Sequence, residues 1–298
     1  MEISVQNKLL LYADDSVIIA YDKDPKAVAD MLGSDLKSCN QWLVDNKLSL
    51  HVGKTECILF GTKAKLKKVP DFCVAYDDHV IKSQESIKYL GVSINNTLSG
   101  ESMVNSVIKR LGRLKFLYRH SHILNQTLRK NLSSALIQCH MDYCCTSWYS
   151  GLTQNHKNKL QITQNKVARY ILKLSPRDHI GQHELNLVNL LKICDRVKQL
   201  RLNHVFNIYH CQGALYLNQN FTRTSSAHSY GTRSSESNFI VPRVKGIASN
   251  TFYYKAILDW NDLPSNIKGL PTKSAFKQSV KQHLASNSLS QEMSDFTV

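Results

Sequence analysis

No stretch narrows the possible folds of this chain as far as Leu9-Leu10-Leu11-Tyr12-Ala13-Asp14-Asp15-Ser16-Val17-Ile18-Ile19-Ala20. Two apolar runs of strand length flank a tyrosine, a small residue and two adjacent carboxylates. Val17, Ile18 and Ile19 are β-branched and the acidic pair supplies turn residues, which predicts a buried hairpin with acids at its tip. Two carboxylates about 4 Å apart repel by roughly 4 kcal/mol at an effective dielectric near 20. A divalent cation between them removes that penalty. Oxygen-only ligands suit Mg²⁺, which one or two carboxylates and substrate phosphates commonly hold. This is the ligand plan of a two-metal phosphoryl-transfer centre. The plainer reading is an acidic turn. The chain carries its own comparison in Phe72-Cys73-Val74-Ala75-Tyr76-Asp77-Asp78-His79-Val80-Ile81, a second Tyr-Asp-Asp whose flanks alternate polar and apolar, as in an ordinary half-exposed hairpin.

Charge separates the chain into regions. Residues 1–60 hold 6 Lys/Arg against 9 Asp/Glu, and residues 61–98 hold 6 against 4. Residues 99–175 hold 12 against 2, and residues 176–298 hold 14 against 8. A basic segment beside a candidate phosphoryl-transfer hairpin points to a nucleic-acid backbone as partner. A solvated helix face is the alternative, although such faces usually interleave both signs. With 298 residues and 42% hydrophobic content, the chain can build two cores. No apolar run reaches membrane-span length, and the start lacks the form of a signal peptide, so the expectation is an intracellular protein of nucleus or cytoplasm, not secreted and with no membrane partner. The eight cysteines contain no C-x-x-C pair and read as reduced, mostly buried thiols. Cys194, His204, His210 and Cys211 match no zinc spacing.

Asp22-Lys23-Asp24-Pro25 reads as a helix start, and Val28, Met31, Leu32, Leu36, Cys39, Trp42 and Leu43 continue one amphipathic helix through Asn46. Residues 48–61 read as a short extended stretch, a turn carrying Lys54 and a buried strand. A Lys-rich loop at 63–68 precedes strands at about 71–76 and 79–82, then a strand over 86–94 with Gly91 in its middle.

These residues carry a resemblance. Tyr12-Ala13-Asp14-Asp15 in apolar strands, a helix ending in Trp42-Leu43, Leu48-Ser49-Leu50 followed by Lys54-Thr55, and Lys88-Tyr89-Leu90-Gly91-Val92 occur in order across one segment. They resemble the C-terminal palm motifs of reverse transcriptases of non-LTR (LINE-type, jockey-like) retrotransposons. The resemblance implies RNA-templated DNA synthesis with two Mg²⁺ ions, on an RNA template and DNA primer, with deoxynucleoside triphosphates as substrates once the palm is complete. It places Asp14 and Asp15 in the catalytic hairpin, Asp14 binding both ions, with Tyr12 beside the primer terminus. Lys54 matches the lysine proposed to protonate the leaving pyrophosphate, and Leu90 and Gly91 match the primer-grip turn. The family usually has Asn where this chain has His51, which bears on turn geometry. A palm also needs an earlier metal-binding Asp and fingers. Thirteen residues precede Asp14, with Glu2 their only acid, so the expectation is a chain inactive alone.

Residues 99–175 read as a helical, basic thumb. Val104, Val107, Leu111, Leu114 and Tyr118 form one face, with Lys109, Arg110 and Arg113 outside it. A helix capped by Asn125 or Thr127 follows, running through Leu132, Leu136, Cys139 and Tyr143. A third helix, at about 155–174, buries Leu160, Val167 and Ile171 and exposes Lys166 and Arg169 until Pro176 stops it. Such faces suit a duplex gripped by its phosphates. Residues 176–285 read as a helical extension, with one helix over Leu185–His210, a Ser-rich loop at Ser225–Asn238, and Trp260-Asn261-Asp262-Leu263-Pro264. That element and Tyr230-Gly231-Thr232-Arg233 resemble sequences after the thumb in the same family. Residues 286–298 read as a disordered tail. The expected fold class is α+β: a truncated palm (1–98, antiparallel sheet with helix), a helical thumb and a mostly helical C-terminal region. The rival is a non-enzymatic, basic nucleic-acid-binding remnant, and a third possibility is a fragment whose remaining polymerase lies upstream in the gene.

Overall fold

Among the described residues, each strand pair is closed by a two-residue turn whose first residue lies in the left-handed backbone region. In the computed structural model, β1 (Lys8–Tyr12) pairs antiparallel with β2 (Asp15–Ile19) around Ala13-Asp14, with Ala13 at φ 52°. β3 (Cys73–Tyr76) pairs with β4 (His79–Lys82) around Asp77-Asp78, with Asp77 at φ 46°. β5 (Ser86–Tyr89) pairs with β6 (Val92–Asn95) around Leu90-Gly91, at φ 45° and 78°. Residues 86–94 are therefore two strands and a turn, not one strand with an internal glycine. Positive φ at both central residues is the geometry of a tight hairpin turn, and Gly91 adopts it without steric cost. The structure describes residues 6–110, 112, 114–210, 215–226 and 237–295. The fold is mixed α+β, mostly helical with small antiparallel sheets. The three hairpins remain separate two-stranded sheets.

The chain divides into two compact units, residues 1–98 and 99–298. In the first, α1 (Pro25–Asp45) begins where Asp24 accepts a hydrogen bond from the Lys26 N–H and ends at Asn46. It packs on β3 through Gly33, where an added Cβ would lie 2.9 Å from the Ala75 carbonyl oxygen. Val28, Phe72 and Val74 make a small core, with Met31, Leu32 and Leu59 around it. In place of the buried strand expected within residues 48–61 there is a single bridge, Cys57 to Ser83, and Phe60 is exposed. The Lys-rich loop contains one turn of helix, α2 (Lys63–Leu66), capped by the Thr62 hydroxyl.

The second unit comprises α3 (Glu101–Arg110), α4 (Leu114–Arg119), α5 (Gln126–Ser133), a π-helical segment (Ser134–Gln138), α6 (Cys139–Asp142), α7 (Cys145–Trp148) and α8 (Gln154–Leu172). It continues through α9 (Gln182–Leu187), α10 (Ile193–Tyr209), α11 (Leu215–Asn218), α12 (Phe252–Asn261), α13 (Ser265–Lys268) and α14 (Lys273–Asp295). Asn125 caps α5 by accepting from the Leu128 N–H. Lys173 ends α8 in a left-handed conformation before Pro176 is reached. The helix expected over Leu185–His210 is broken between α9 and α10, where Asn189 takes φ 62°. Helices on either side of residue 175 share hydrogen bonds: Gln164 Nε2 donates to the Leu191 carbonyl, and the Ile193 N–H donates to Gln161 Oε1. Leu202, Val205, Phe206, Ile257, Trp260, Phe276 and Val280 belong to one continuous core. Of the tail expected over 286–298, residues 286–295 continue α14, with Ser288 buried and its hydroxyl donating to Asp195, and residues 296–298 lie outside the described residues. No helix among the described residues is long and apolar enough to cross a membrane.

Candidate functional site

The hairpin register fixes where the two carboxylates stand. Tyr12 pairs with Asp15, so Asp14 occupies the turn and Asp15 opens β2. Strand alternation puts Leu10, Tyr12, Asp15, Val17 and Ile19 on one face. Asp14 and Asp15 are exposed, as are Leu11 and Tyr12 (62% and 64%). The expectation of a buried hairpin is therefore corrected: β1 and β2 form a two-stranded ribbon, and among the described residues no third strand pairs with either. Exposure to water screens the mutual repulsion of the two carboxylates.

What anchors the hairpin is a residue that sequence reasoning passed over. Asp35, on α1 and 1% exposed, accepts hydrogen bonds from the Gln6 N–H (2.8 Å), the Asn7 N–H (3.1 Å) and Asn7 Nδ2 (2.7 Å). A buried carboxylate needs such donors. Here they hold the residues that lead into β1. In the sequence, Asp35 looks like one more polar position on an amphipathic helix.

Lys54 is exposed at the end of a 3₁₀ turn (Val52–Lys54), where its N–H donates to the His51 carbonyl (2.9 Å). The Thr55 hydroxyl donates to the same carbonyl (3.2 Å), so the turn closes through backbone groups of His51. Neither Asp14 nor Asp15 has a side-chain hydrogen bond or ion pair with Lys54 among the described residues. Leu90 and Gly91 form the β5–β6 turn described above. Adjacent exposed carboxylates are suitable oxygen donors for one Mg²⁺ that keeps most of its waters. They do not suffice for a pair of ions, and among the described residues no three His, Cys, Asp or Glu side chains converge on a common point.

In the second unit, α3 carries Lys109 (exposed) and Arg110 (half-buried) and packs against α8, which carries Lys166 (exposed) and Arg169 (half-buried). The Tyr118 hydroxyl donates to the Lys166 carbonyl, and Arg169 Nε donates to the Asp178 carbonyl. Met103, Val104 and Val107 on α3 and Leu160 and Val167 on α8 are nearly fully buried. Arg113 lies outside the described residues. Arg129 belongs to the same basic stretch but is buried, donating through Nε and Nη2 to the Ile171 carbonyl and through Nη1 to that of Leu124. It holds the C-terminal end of α8 and is not available to a polyanion.

The Trp260-Asn261-Asp262-Leu263-Pro264 element is structural. Trp260 is fully buried and donates through Nε1 to the Ser237 carbonyl, and Leu263 lies in the same core. Tyr230-Gly231-Thr232-Arg233 lies outside the described residues. The seven described cysteines are free thiols, and only Cys145 is buried, contrary to the expectation that most would be. Burial pushes the Cys145 thiol up to about 12, which leaves it inert as a nucleophile. The chain matches no protein-family model, no curated protein and no solved structure.

Proposed function

We propose that this chain carries the catalytic hairpin and the duplex-gripping helices of a retrotransposon RNA-directed DNA polymerase. On this reading it binds a primer–template duplex and does not extend it unaided. The observation that carries the proposal is Tyr12-Ala13-Asp14-Asp15 at the exposed tip of a tight antiparallel hairpin. Two further features support it: a second tight turn at Leu90-Gly91, and an exposed cationic side chain at Lys54. Mg²⁺ would be held by Asp14 and Asp15. A two-ion centre needs ligands for both ions, so on this reading further ligands complete the centre around Asp14 and Asp15. Tyr12, beside the acids, would contact the primer end. Lys109, Arg110, Lys166 and Arg169 would neutralise backbone phosphates without reading bases.

Fluorescence anisotropy of a labelled RNA/DNA duplex, titrated with the chain at several KCl concentrations, tests duplex binding. If four phosphates are neutralised, log affinity falls against log salt with a slope of about −3.6. Lys109→Glu with Lys166→Glu should flatten that slope by about 2. A slope near zero, or one unmoved by these reversals, rejects the duplex-binding assignment.

The second reading, a nucleic-acid-binding protein without enzymatic ancestry in use, rests on the same basic helices. It predicts the same salt slope and no role for Asp14 or Asp15 in metal binding.

A further inference from the structure

A cavity of about 240 Å³ opens in the second unit between the α5–α6 stretch, α8, α10 and α14. One wall is a polar stripe, Lys130, Ser134, Gln138 and Asp142, at four-residue steps. In an α-helix four residues overshoot one turn by about 40°, so a stripe with this spacing rotates away from a single face. The π-helical segment Ser134–Gln138 widens the turn and keeps these side chains on the same cavity. Such insertions are rare in helices and occur frequently at functional sites.

The opposite wall adds two cations. Arg196 is held by Asp142, with Nη2 to Oδ2 at 2.8 Å, and donates through Nη1 to Gln199 Oε1 at 2.7 Å. Lys281 donates to the carbonyl (2.7 Å) and Oδ1 (2.5 Å) of Asn189. Lys130 has no hydrogen-bond or ion-pair partner among the described residues. Three cations thus line the cavity with one carboxylate, Asp142, which is already paired with Arg196, and among the described residues no second acidic side chain lines it. Burial, and then the charges of Arg196 and Lys130, lower the pKa of Lys281, a sign that these groups repel one another. Ser133 lines the same cavity at 2% exposure, and its Oγ is buried without a hydrogen-bond partner. A wall built only for packing would not collect like charges or bury a hydroxyl unpaired.

The geometry points to a binding site for a phosphate group on a small ligand, held by Lys130, Arg196 and Lys281 and completed by the Ser133 hydroxyl. A surplus of two positive charges matches a dianionic phosphate, and ammonium and guanidinium donors form charge-assisted bonds to its oxygens. The volume equals that of about eight liquid waters. It admits inorganic phosphate or a compact phosphomonoester and excludes a duplex. The inference is independent of the polymerase reading, which assigns the cavity no role.

Calorimetric titration of the full chain with sodium phosphate and with phenyl phosphate, at fixed ionic strength and against chloride, tests it. Saturable one-to-one binding of phosphate is expected, with Lys130→Met and Lys281→Met each weakening it at least tenfold and Lys159→Met, on the exposed face of α8, leaving it unchanged. Tighter binding of phenyl phosphate would identify a monoester as the ligand class, and equal or weaker binding would identify phosphate itself. Without phosphate, Lys130→Met should melt no lower than the wild type, because it relieves repulsion and breaks no contact. Absence of phosphate-specific heat in the wild type, or wild-type affinity in either cavity variant, overturns the assignment.

Discussion

Asn7 donates two hydrogen bonds to the buried carboxylate of Asp35, one from its backbone and one from its side chain, and so fastens the start of the Asp-Asp hairpin to α1. The hairpin has little else to hold it: two strands, a largely exposed face and one helix beneath. A two-stranded ribbon is marginal in water without such support.

Replacing the tether should therefore loosen the hairpin before it unfolds the unit. Asp35→Ala removes three charge-assisted bonds from partly buried donors, for a loss of about 2–4 kcal/mol. Chemical denaturation reads that loss, and hydrogen exchange should show faster exchange at the Gln6 and Asn7 amides. Unchanged exchange at both amides would show that the tether does not restrain the hairpin.

Arg129 makes a sharper prediction because its sequence context suggests the wrong role. It lies in the most basic segment yet donates three hydrogen bonds to carbonyls in the helical unit. Arg129→Met should cost about 2–3 kcal/mol of stability, through two stranded acceptors and the lost cation at the α8 C-terminus. Its duplex affinity, measured below the melting transition, should equal that of the wild type.

Asn261 and Phe239 exchange a pair of hydrogen bonds, the Phe239 N–H to Oδ1 (3.0 Å) and Nδ2 to the Phe239 carbonyl (2.8 Å). The side-chain amide thereby pairs with backbone as a neighbouring strand would. Asn261→Asp replaces the Nδ2 donor with an acceptor facing a carbonyl, and about 2–3 kcal/mol should be lost. Asn261→Ala removes both bonds without adding repulsion, and comparing the two melts isolates the cost of the added acceptor.

Glu184 supplies a test in pH. Its carboxylate accepts the Gly181 N–H at 2.8 Å, and this bond, with a second from its own backbone N–H, lowers its pKa below the ordinary glutamate value. A carboxylate depressed in the folded state stabilises the fold above its unfolded pKa of about 4.3, and that contribution is lost as the pH falls through the folded value. Glu184→Gln keeps an acceptor oxygen and cannot titrate. Its melting temperature should fall less steeply than that of the wild type between about pH 5 and pH 3.

What could be read from the sequence was whatever a short window encodes. Asp24-Pro25 sets the start of α1, Asn125 caps α5, and the alternation around Asp77-Asp78 yields β3 and β4. Partnership across distance was not legible. Leu9–Leu11 and Val17–Ile19 read as buried because apolar runs usually are, yet no element among the described residues covers their outer face. The residue pattern at 86–94 hid the Leu90-Gly91 turn behind continuous β propensity, and only the family resemblance pointed to it. Asp35, Lys130 and Lys281 acquire their roles from residues 28 to 151 positions away, which no local pattern records.

The assignment of Asp14 and Asp15 as metal-binding carboxylates stands or falls on a paramagnetic titration. Mn²⁺ would be added to the isotopically labelled chain with an RNA/DNA duplex carrying a chain-terminated primer and a matched nucleotide. The amide signals of residues 12–16 should broaden first, at substoichiometric Mn²⁺, and this selectivity should vanish in Asp14→Asn with Asp15→Asn. Broadening that starts elsewhere, or that persists unchanged in the double variant, would contradict a metal site at this hairpin.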